Sequence, residues 1–164
     1  MCQYTWKNKF NMPQSLEILT TSCAALLTGN EFAVAAFFHP TLQKLPDMVH
    51  ATTAKALAYL LGRVMPFWYA LVLILTAGEA LWNRPFLQTP GLFFSISSAL
   101  WALSILYTIA GPVPINNRIA SWNLDRLPEN WRQDRAKWDG LHRLRVVLIL
   151  IAFTFQLLGA SHPH

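Results

Sequence analysis

The sequence has few charged residues and almost no cysteine. Asp, Glu, Lys and Arg make up 13% of its 164 residues, where soluble globular domains usually carry about a quarter. Its two cysteines, Cys2 and Cys23, do not form a disulfide framework or a metal-ligand spacing, so both are expected to be unreactive thiols. No self-similarity at a period of about 20 to 50 residues indicates a repeat array. Apolar residues dominate, at 54% of the chain.

Four apolar segments are each long enough to cross a bilayer, which takes about 17 to 25 helical residues. They run approximately over residues 16–38, 64–82, 91–109 and 144–160. Because the bilayer core offers no water to backbone groups, the spans must be helical. The sequence therefore predicts an all-α integral membrane protein, a four-helix bundle. Its transmembrane domain is residues 16–160, between a polar leader, 1–15, and a short tail, 161–164, with Met12 as a second candidate start.

The basic residues predict how the bundle is oriented. Three of the thirteen lie on the side of the termini and the second-to-third loop, namely Lys7, Lys9 and Arg84, and the other ten lie in the remaining two loops and their helix ends. The positive-inside rule then places those two loops in the cytoplasm and both termini outside, across the plasma (inner) membrane. This topology accounts for the net charge of +5, so nucleic-acid binding, which needs a soluble basic face, is not expected.

Prolines predict where the helices begin and end. The first span should end at His39, because Pro40 disfavours helix at the residue before it. A helix from about Ala51 should run into the second span, with Pro66 as a candidate kink. Residues 112–118 contain two prolines and should form an extended exit from the third span. Residues 119–137 alternate charges with tryptophans, which is typical of an amphipathic helix or helical pair on the cytoplasmic surface.

An acid inside a membrane span is costly, about 2.5 to 3.5 kcal/mol on insertion scales, so Glu31 needs a reason to be there. His39 lies about two turns along the same helix. Glu31 could be a proton-handling acid in a cavity that opens to the cytoplasm, or a carboxylate that pairs with Arg63 and only stabilises the bundle. Glu79 lies near the outer end of its span and is expected to reach the headgroups.

A second cluster opens the fourth span. Asp139 and His142 are three residues apart, so the carboxylate could fix the tautomer of the imidazole and raise its basicity, as suits a general base. Trp138 is four residues from His142 and could form an aromatic wall beside it. The alternative is that these residues, with Arg143 and Arg145, form an ordinary solvated helix end.

A third cluster, Asn116, Asn117 and Arg118, follows the third span. Its donors could hold an oxyanion or a phenol, or could cap the span and anchor it to lipid phosphate. Polar residues from four different spans share this membrane face. The sequence therefore predicts that they converge on one site.

Several of these runs resemble the anthrone-oxygenase-like family of small four-span membrane proteins. The resemblance rests on the runs 111–118 and 138–145 with Trp131 between them, and on 29–31 and 37–40 in the first span. It covers about residues 16–160. Members are associated with the oxidation of anthrones to anthraquinones by molecular oxygen in polyketide pathways, without a dedicated metal or flavin. The resemblance thus implies a membrane oxygenase with no cofactor, whose partners are a small apolar aromatic substrate, oxygen and the bilayer; a homo-oligomer is left open.

On that reading a positioned imidazole removes a proton from the acidic methylene of the anthrone, and the delocalised carbanion reacts with oxygen. His142, oriented by Asp139, is the first choice of base and His39 the second, with Glu31 as a further proton-handling group. The predicted substrate-binding residues stabilise the phenolate charge or stack on the rings; they are Asn116, Asn117, Arg118, Trp138, Arg143, Arg145, Arg63 and Phe38.

Two other classes of function stay open. A metal- or haem-dependent oxidoreductase could use His39, His142 and Glu31 as ligands, although the Glu-x-x-His pair of di-iron bundles does not occur. A non-enzymatic membrane subunit or small carrier is the other alternative, because a fold does not determine a function.

Overall fold

A computed structural model describes residues 14–162, and they are helical with short connections. The elements are α1 (Gln14–Ala33), a π-helical segment (Val34–Phe38), α2 (His39–Leu42), α3 (Asp47–Trp82), α4 (Gly91–Ala110), α5 (Pro112–Ala120) and α6 (Trp131–Ala160). No strand occurs among these residues. The predicted leader, 1–15, with Cys2 and Met12, lies almost entirely outside the described residues.

Four helical stretches are long and apolar enough to cross a membrane. They are Gln14–Leu42, Asp47–Trp82, Gly91–Ala110 and Trp131–Ala160. Large apolar side chains also point outward along them, as in Phe67, Ile74 and Leu106, which are 79%, 68% and 65% exposed. Lipid rather than water suits such a surface. The predicted all-α fold with four spans is confirmed.

The predicted end of the first span at His39 is wrong. The helix continues through Pro40 to Leu42. A π-helical turn precedes the proline, and the His39 N–H donates to the carbonyl oxygen of Val34, five residues earlier. Pro40 follows inside the same continuous helical stretch, Gln14–Leu42, and has no N–H to donate to the turn before it. The wider turn, a form that usually occurs as a single bulge, lets the chain remain helical.

Residues 112–120 form helix α5 rather than the predicted extended exit. Pro112 occupies the first helical turn, the position at which proline is best tolerated. The predicted amphipathic helix or helical pair over 119–137 is not a unit of its own: 121–130 is a loop, and α6 runs unbroken from Trp131 into the fourth span. Ile119, Trp122 and Trp131 are buried against α3, so apolar packing inside the protein replaces the expected surface helix.

Helix α3 begins at Asp47, four residues before the predicted start, and it continues through Pro66. Two apolar layers stabilise the bundle. One is Ala51, Ala54, Ala58, Ile115, Ile119, Trp122, Trp131 and Trp138, and the other is Ala24, Leu27, Tyr69, Val72, Trp101, Ile149 and Ala152. Arg145 of α6 lies in sequence between Trp138 of the first layer and Ile149 of the second. The buried Arg145 side chain therefore lies between the two apolar layers.

Candidate functional site

A buried ion pair joins the first and last spans. Nη2 of Arg145 donates to Oε2 of Glu31 at 2.5 Å, and the two residues are 7% and 2% exposed. Removing either partner would leave an uncompensated charge in a medium that does not solvate it. Of the two alternatives for Glu31, the one in which it pairs with Arg63 is therefore wrong. Arg63 is exposed and its guanidinium lies over the Tyr59 ring, 4.0 Å from the ring centroid.

His142 is held by the same pair. Its Nδ1 lies 2.8 Å from Nη2 of Arg145, and its Nε2 lies 3.2 Å from the backbone oxygen of Glu31. A guanidinium can only donate and a carbonyl oxygen can only accept, which assigns the lone pair to Nδ1 and the proton to Nε2. Both ring nitrogens of His142 are thus engaged by its neighbours.

His39 is next to this group and is paired differently. Its ring centroid lies 4.8 Å from that of His142, and its Nδ1 lies 3.5 Å from Oδ1 of Asp139. Asp139 is fixed in turn by Arg135 at 2.5 Å and by Gln43 at 3.2 Å. Neither nitrogen of His39 has a hydrogen-bond partner within residues 14–162. Both imidazoles thus lie near a carboxylate, since Nδ1 of His142 is 3.3 Å from Oε2 of Glu31, but only His39 has ring nitrogens without hydrogen-bond partners in the described chain.

Asp139 pairs with Arg135 rather than with His142, so the predicted Asp139–His142 pair is wrong. Side chains on a helix lean toward its N-terminus, so Asp139 meets Arg135 one turn earlier. The ring of His142 lies flat on that of Trp138, with centroids 4.9 Å and planes 7° apart. The aromatic wall beside His142 is therefore present, whereas the Asp139 carboxylate lies nearer to His39, 3.5 Å from its Nδ1.

A cavity of about 200 Å³ lies between α3, α4, α5 and α6. On the same kind of measure a single water needs only about 10 to 15 Å³, so the cavity has room for an organic ligand. Its lining is mostly apolar. The polar contributions come from Tyr69, Thr108, Asn116, Trp138 and Arg145, in a wall otherwise formed by Leu61, Gly62, Met65, Pro66, Ala70, Ile105, Ile109, Pro112 and Val113.

Three buried polar atoms in this lining have no hydrogen-bond partner among the described residues. They are the hydroxyl of Tyr69, Nε1 of Trp138 and Nε of Arg145. The Arg145 guanidinium lies 5.5 Å from the centre of the Tyr69 ring. Buried polar groups are normally satisfied, so three orphaned donors around one cavity are suited to a ligand that can accept hydrogen bonds.

A second cavity, of about 10 Å³, adjoins His39. Arg135 and Phe38 contribute to its lining, while Trp138 and Asn116 line both cavities. Its volume is close to that of one water molecule. Trp138 and Asn116 therefore form the partition between His39 and the larger cavity. Phe38, predicted to stack on a substrate, contributes to the small cavity only and is half-exposed.

Of the predicted cluster of Asn116, Asn117 and Arg118, only Asn116 lines the two cavities. Because α5 is helical, its consecutive side chains point about 100° apart, and Asn116 alone of the three faces inward. Its Nδ2 donates to the Ala58 carbonyl oxygen at 2.9 Å, while Asn117 and Arg118 are exposed. Arg118 pairs with Asp134 at 2.7 Å, and this carboxylate raises the pKa of Arg118. Asn117 and Arg118 therefore do not line the larger cavity, unlike Asn116.

The positions of Arg143 and Glu79 also differ from what the sequence predicted. Arg143 points to the surface, because it lies two residues from the inward-facing Arg145 on the same helix. Glu79 does not reach the headgroups but is fully buried, on the α3 face that also buries Thr76 and Ala80. Nothing in its contacts relates it to the cavity.

Sequence reasoning missed Tyr69, Arg135 and Gln43. Arg135 was assigned to a surface helix, although its spacing of four residues before Asp139 is a pairing signal on one helix. Tyr69 and Gln43 carry no such signal, because their partners come from other helices.

Residues 14–162 contain no group of three His, Cys, Asp or Glu side chains placed to hold a metal ion, and Cys23 is unpaired within that range.

Comparison with known proteins adds one finding. A family model described as anthrone oxygenase matches residues 56–155, which contain the lining residues of the larger cavity together with Asp139 and His142. No curated protein and no solved structure matches the chain.

Proposed function

Because the chain belongs to the anthrone oxygenase family, we propose that it oxidises an anthrone-like or related phenolic substrate with molecular oxygen in the larger cavity. The observation that carries this proposal is the composition of the cavity wall. It is apolar enough for fused aromatic rings, and it presents the buried and unpartnered donors of Tyr69 and Arg145.

The proposed reaction consumes one oxygen molecule and releases one water. A base removes a proton from the methylene carbon between the two rings, and the electron pair delocalises onto the carbonyl oxygen. The carbanion then transfers electrons to oxygen and forms a carbon–oxygen bond, and the protonated base returns its proton to the terminal oxygen of the peroxide. The resulting hydroperoxide loses water and leaves the second carbonyl of the quinone. The substrate itself supplies the electrons, so the proposal includes no dedicated cofactor.

In this scheme Arg145 and Tyr69 donate hydrogen bonds to the substrate oxygen as it becomes negative. Donors held in place before the reaction stabilise developing charge without having to reorganise. The 2.5 Å contact with Glu31 fixes the guanidinium, which makes Glu31 a positioning residue. Trp138 supplies an aromatic surface at the cavity wall, as suits stacking on a flat ring.

We assign the base to His39 rather than to the expected His142. Neither ring nitrogen of His39 is hydrogen-bonded within residues 14–162, and the Asp139 carboxylate lies 3.5 Å from its Nδ1, whereas Arg145 and the Glu31 backbone occupy both nitrogens of His142. His39 lies behind Trp138 and Asn116, next to the small cavity. General bases act directly or through one water, and this cavity has the volume for that water.

The orientation of the protein belongs to the same proposal. Ten of its thirteen basic residues lie in the first and third loops and their helix ends, which supports a plasma-membrane protein with both termini outside. The His39–Asp139 pair then lies in the cytoplasmic half of the bundle. The proposed partners are an apolar aromatic substrate, oxygen and the lipid itself.

Oxygen uptake by the purified protein in lipid nanodiscs tests the function. A panel of anthrones and hydroquinones is added, and the quinone product is followed by mass spectrometry. We expect uptake well above that of empty nanodiscs, which report uncatalysed oxidation, for at least one anthrone. Uptake equal to the empty discs for the whole panel, with ligand still bound, would instead indicate a carrier. Elemental analysis of the same sample separates a metal-dependent oxidase from the proposed scheme.

A further inference from the structure

Small residues form one side of an opening in the cavity wall. Gly62, Pro66 and Ala70 follow one another at intervals of four residues on α3, so they share one helical face. All three are exposed, and all three line the larger cavity. Ile109 and Val113 line the cavity from α4 and α5 and are exposed as well. The cavity is thus open to the outside between α3 and the junction of α4 with α5.

The opposite wall of the cavity is closed. Tyr69, Pro112, Trp138 and Arg145 are all buried, and three of them carry the donors that lack partners within the described chain. A molecule that enters at the opening therefore meets apolar surface first and hydrogen-bond donors last. This order suits a neutral molecule with fused or linked aromatic rings and one or two acceptor oxygens.

The opening faces the surface of the bundle that suits lipid. Phe67 and Leu106, on the two helices that flank it, are 79% and 65% exposed. Arg63 is exposed beside Gly62, and Pro66 and Ala70 lie three and seven residues further along the span. At about 1.5 Å of rise per residue, the opening extends roughly 10 Å beyond that arginine into the apolar span. A charged molecule would have to enter hydrocarbon to reach the Ala70 end of the opening.

We propose that the larger cavity admits its ligand sideways from the bilayer, between α3 and the α4–α5 junction, and that this ligand is a neutral, lipid-dissolved diaryl ketone or phenol. The chemical identity of the ligand rests on the proposed function. The route rests on the exposed small residues and the closed inner wall. Ala70 is then a residue that determines access without touching the proposed catalytic groups.

Photolabelling tests the route without requiring turnover. Benzophenone is a neutral diaryl ketone that inserts into nearby C–H bonds on irradiation. It is dissolved in the lipid of nanodiscs that contain the protein, and adducts are mapped by mass spectrometry. We expect labelling of cavity residues such as Met65 and Thr108. A benzophenone that bears a sulfonate carries the same photoreactive group but stays in the aqueous phase, so it should label these residues at least fivefold less.

A matched pair of variants tests the opening itself. Ala70→Trp places a large side chain at the mouth, and Ala99→Trp places the same side chain on an exposed position of α4 that does not line the cavity. Cavity labelling by benzophenone should fall at least fivefold in the first variant and stay within twofold of wild type in the second. Circular dichroism confirms that both remain helical.

Two results would overturn the lateral route. One is equal cavity labelling by the sulfonated and the neutral probe in the wild-type protein, a comparison that needs no variant. The other is unchanged benzophenone labelling in folded Ala70→Trp. Failure of the function is a separate outcome, because a protein that takes up no oxygen but shows the expected labelling still binds its ligand from the lipid.

Discussion

The ion pair between Glu31 and Arg145 predicts an asymmetric double-mutant cycle. Arg145→Met leaves the Glu31 carboxylate buried with no guanidinium, and removal of one partner of a buried pair commonly costs about 3 to 5 kcal/mol of unfolding free energy. Glu31→Gln should cost less, because the amide oxygen still accepts from Arg145 and Nδ1 of His142 remains 2.8 Å from the guanidinium. In the double variant neither charge is left unpaired, so much of the loss should be recovered.

The assay is reversible unfolding in mixed detergent micelles, followed by circular dichroism. Arg143→Met is the matched control, because Arg143 is exposed on the same helix and surface substitutions usually change stability by less than about 0.5 kcal/mol. A double variant that loses the sum of the two single losses would contradict the reasoning. It would mean that Glu31 and Arg145 contribute independently rather than as a pair.

Two further predictions concern packing and topology. Gly91→Ala should destabilise the bundle, by about 1 to 3 kcal/mol as overpacking usually does, because an added Cβ would overlap the backbone oxygen of Asn83. The control Gly78→Ala meets nothing within 4 Å in the described structure and should be neutral or stabilising in thermal unfolding. Cysteines introduced at Gln43 and Asn123 should resist an impermeant thiol reagent in intact cells, while one at Gln88 should react; the reverse pattern would overturn the orientation.

The fold could be predicted from the sequence because the bilayer imposes strong constraints. A span needs both length and apolar character, and the four segments have both. The helix ends were harder to predict. Pro40 and Pro112 were treated as breakers, yet the first span stays helical through Pro40, and Pro112 lies in the first turn of α5, where proline is tolerated. The π-helical turn that precedes Pro40 leaves no pattern in the residue types.

The sequence predicted which buried polar residues of the candidate site come together, but it did not predict which of them pair with one another. Depth in the membrane and the cost of unpaired charge were enough to select Glu31, His39, His142 and Arg145. The partner of each of these side chains depends on how its helix is rotated about its own axis, and the sequence does not specify that rotation. Asp139 therefore could not be assigned to His39 rather than to His142 from a spacing of three residues. Tyr69 resembles any other aromatic residue of a span until the cavity beside it is seen.

The assignment of His39 as the base is tested most directly by one pair of variants. Oxygen uptake with the best anthrone of the panel is compared for His39→Asn and His142→Asn. Asparagine cannot act as the base, but at position 142 its amide oxygen can still accept from Arg145. General-base catalysis is commonly worth about 10² to 10⁴ in rate, so His39→Asn should lose that much turnover at an unchanged KM, while His142→Asn keeps most of it. The opposite pattern, with full activity in His39→Asn, would contradict the account and return the role to His142.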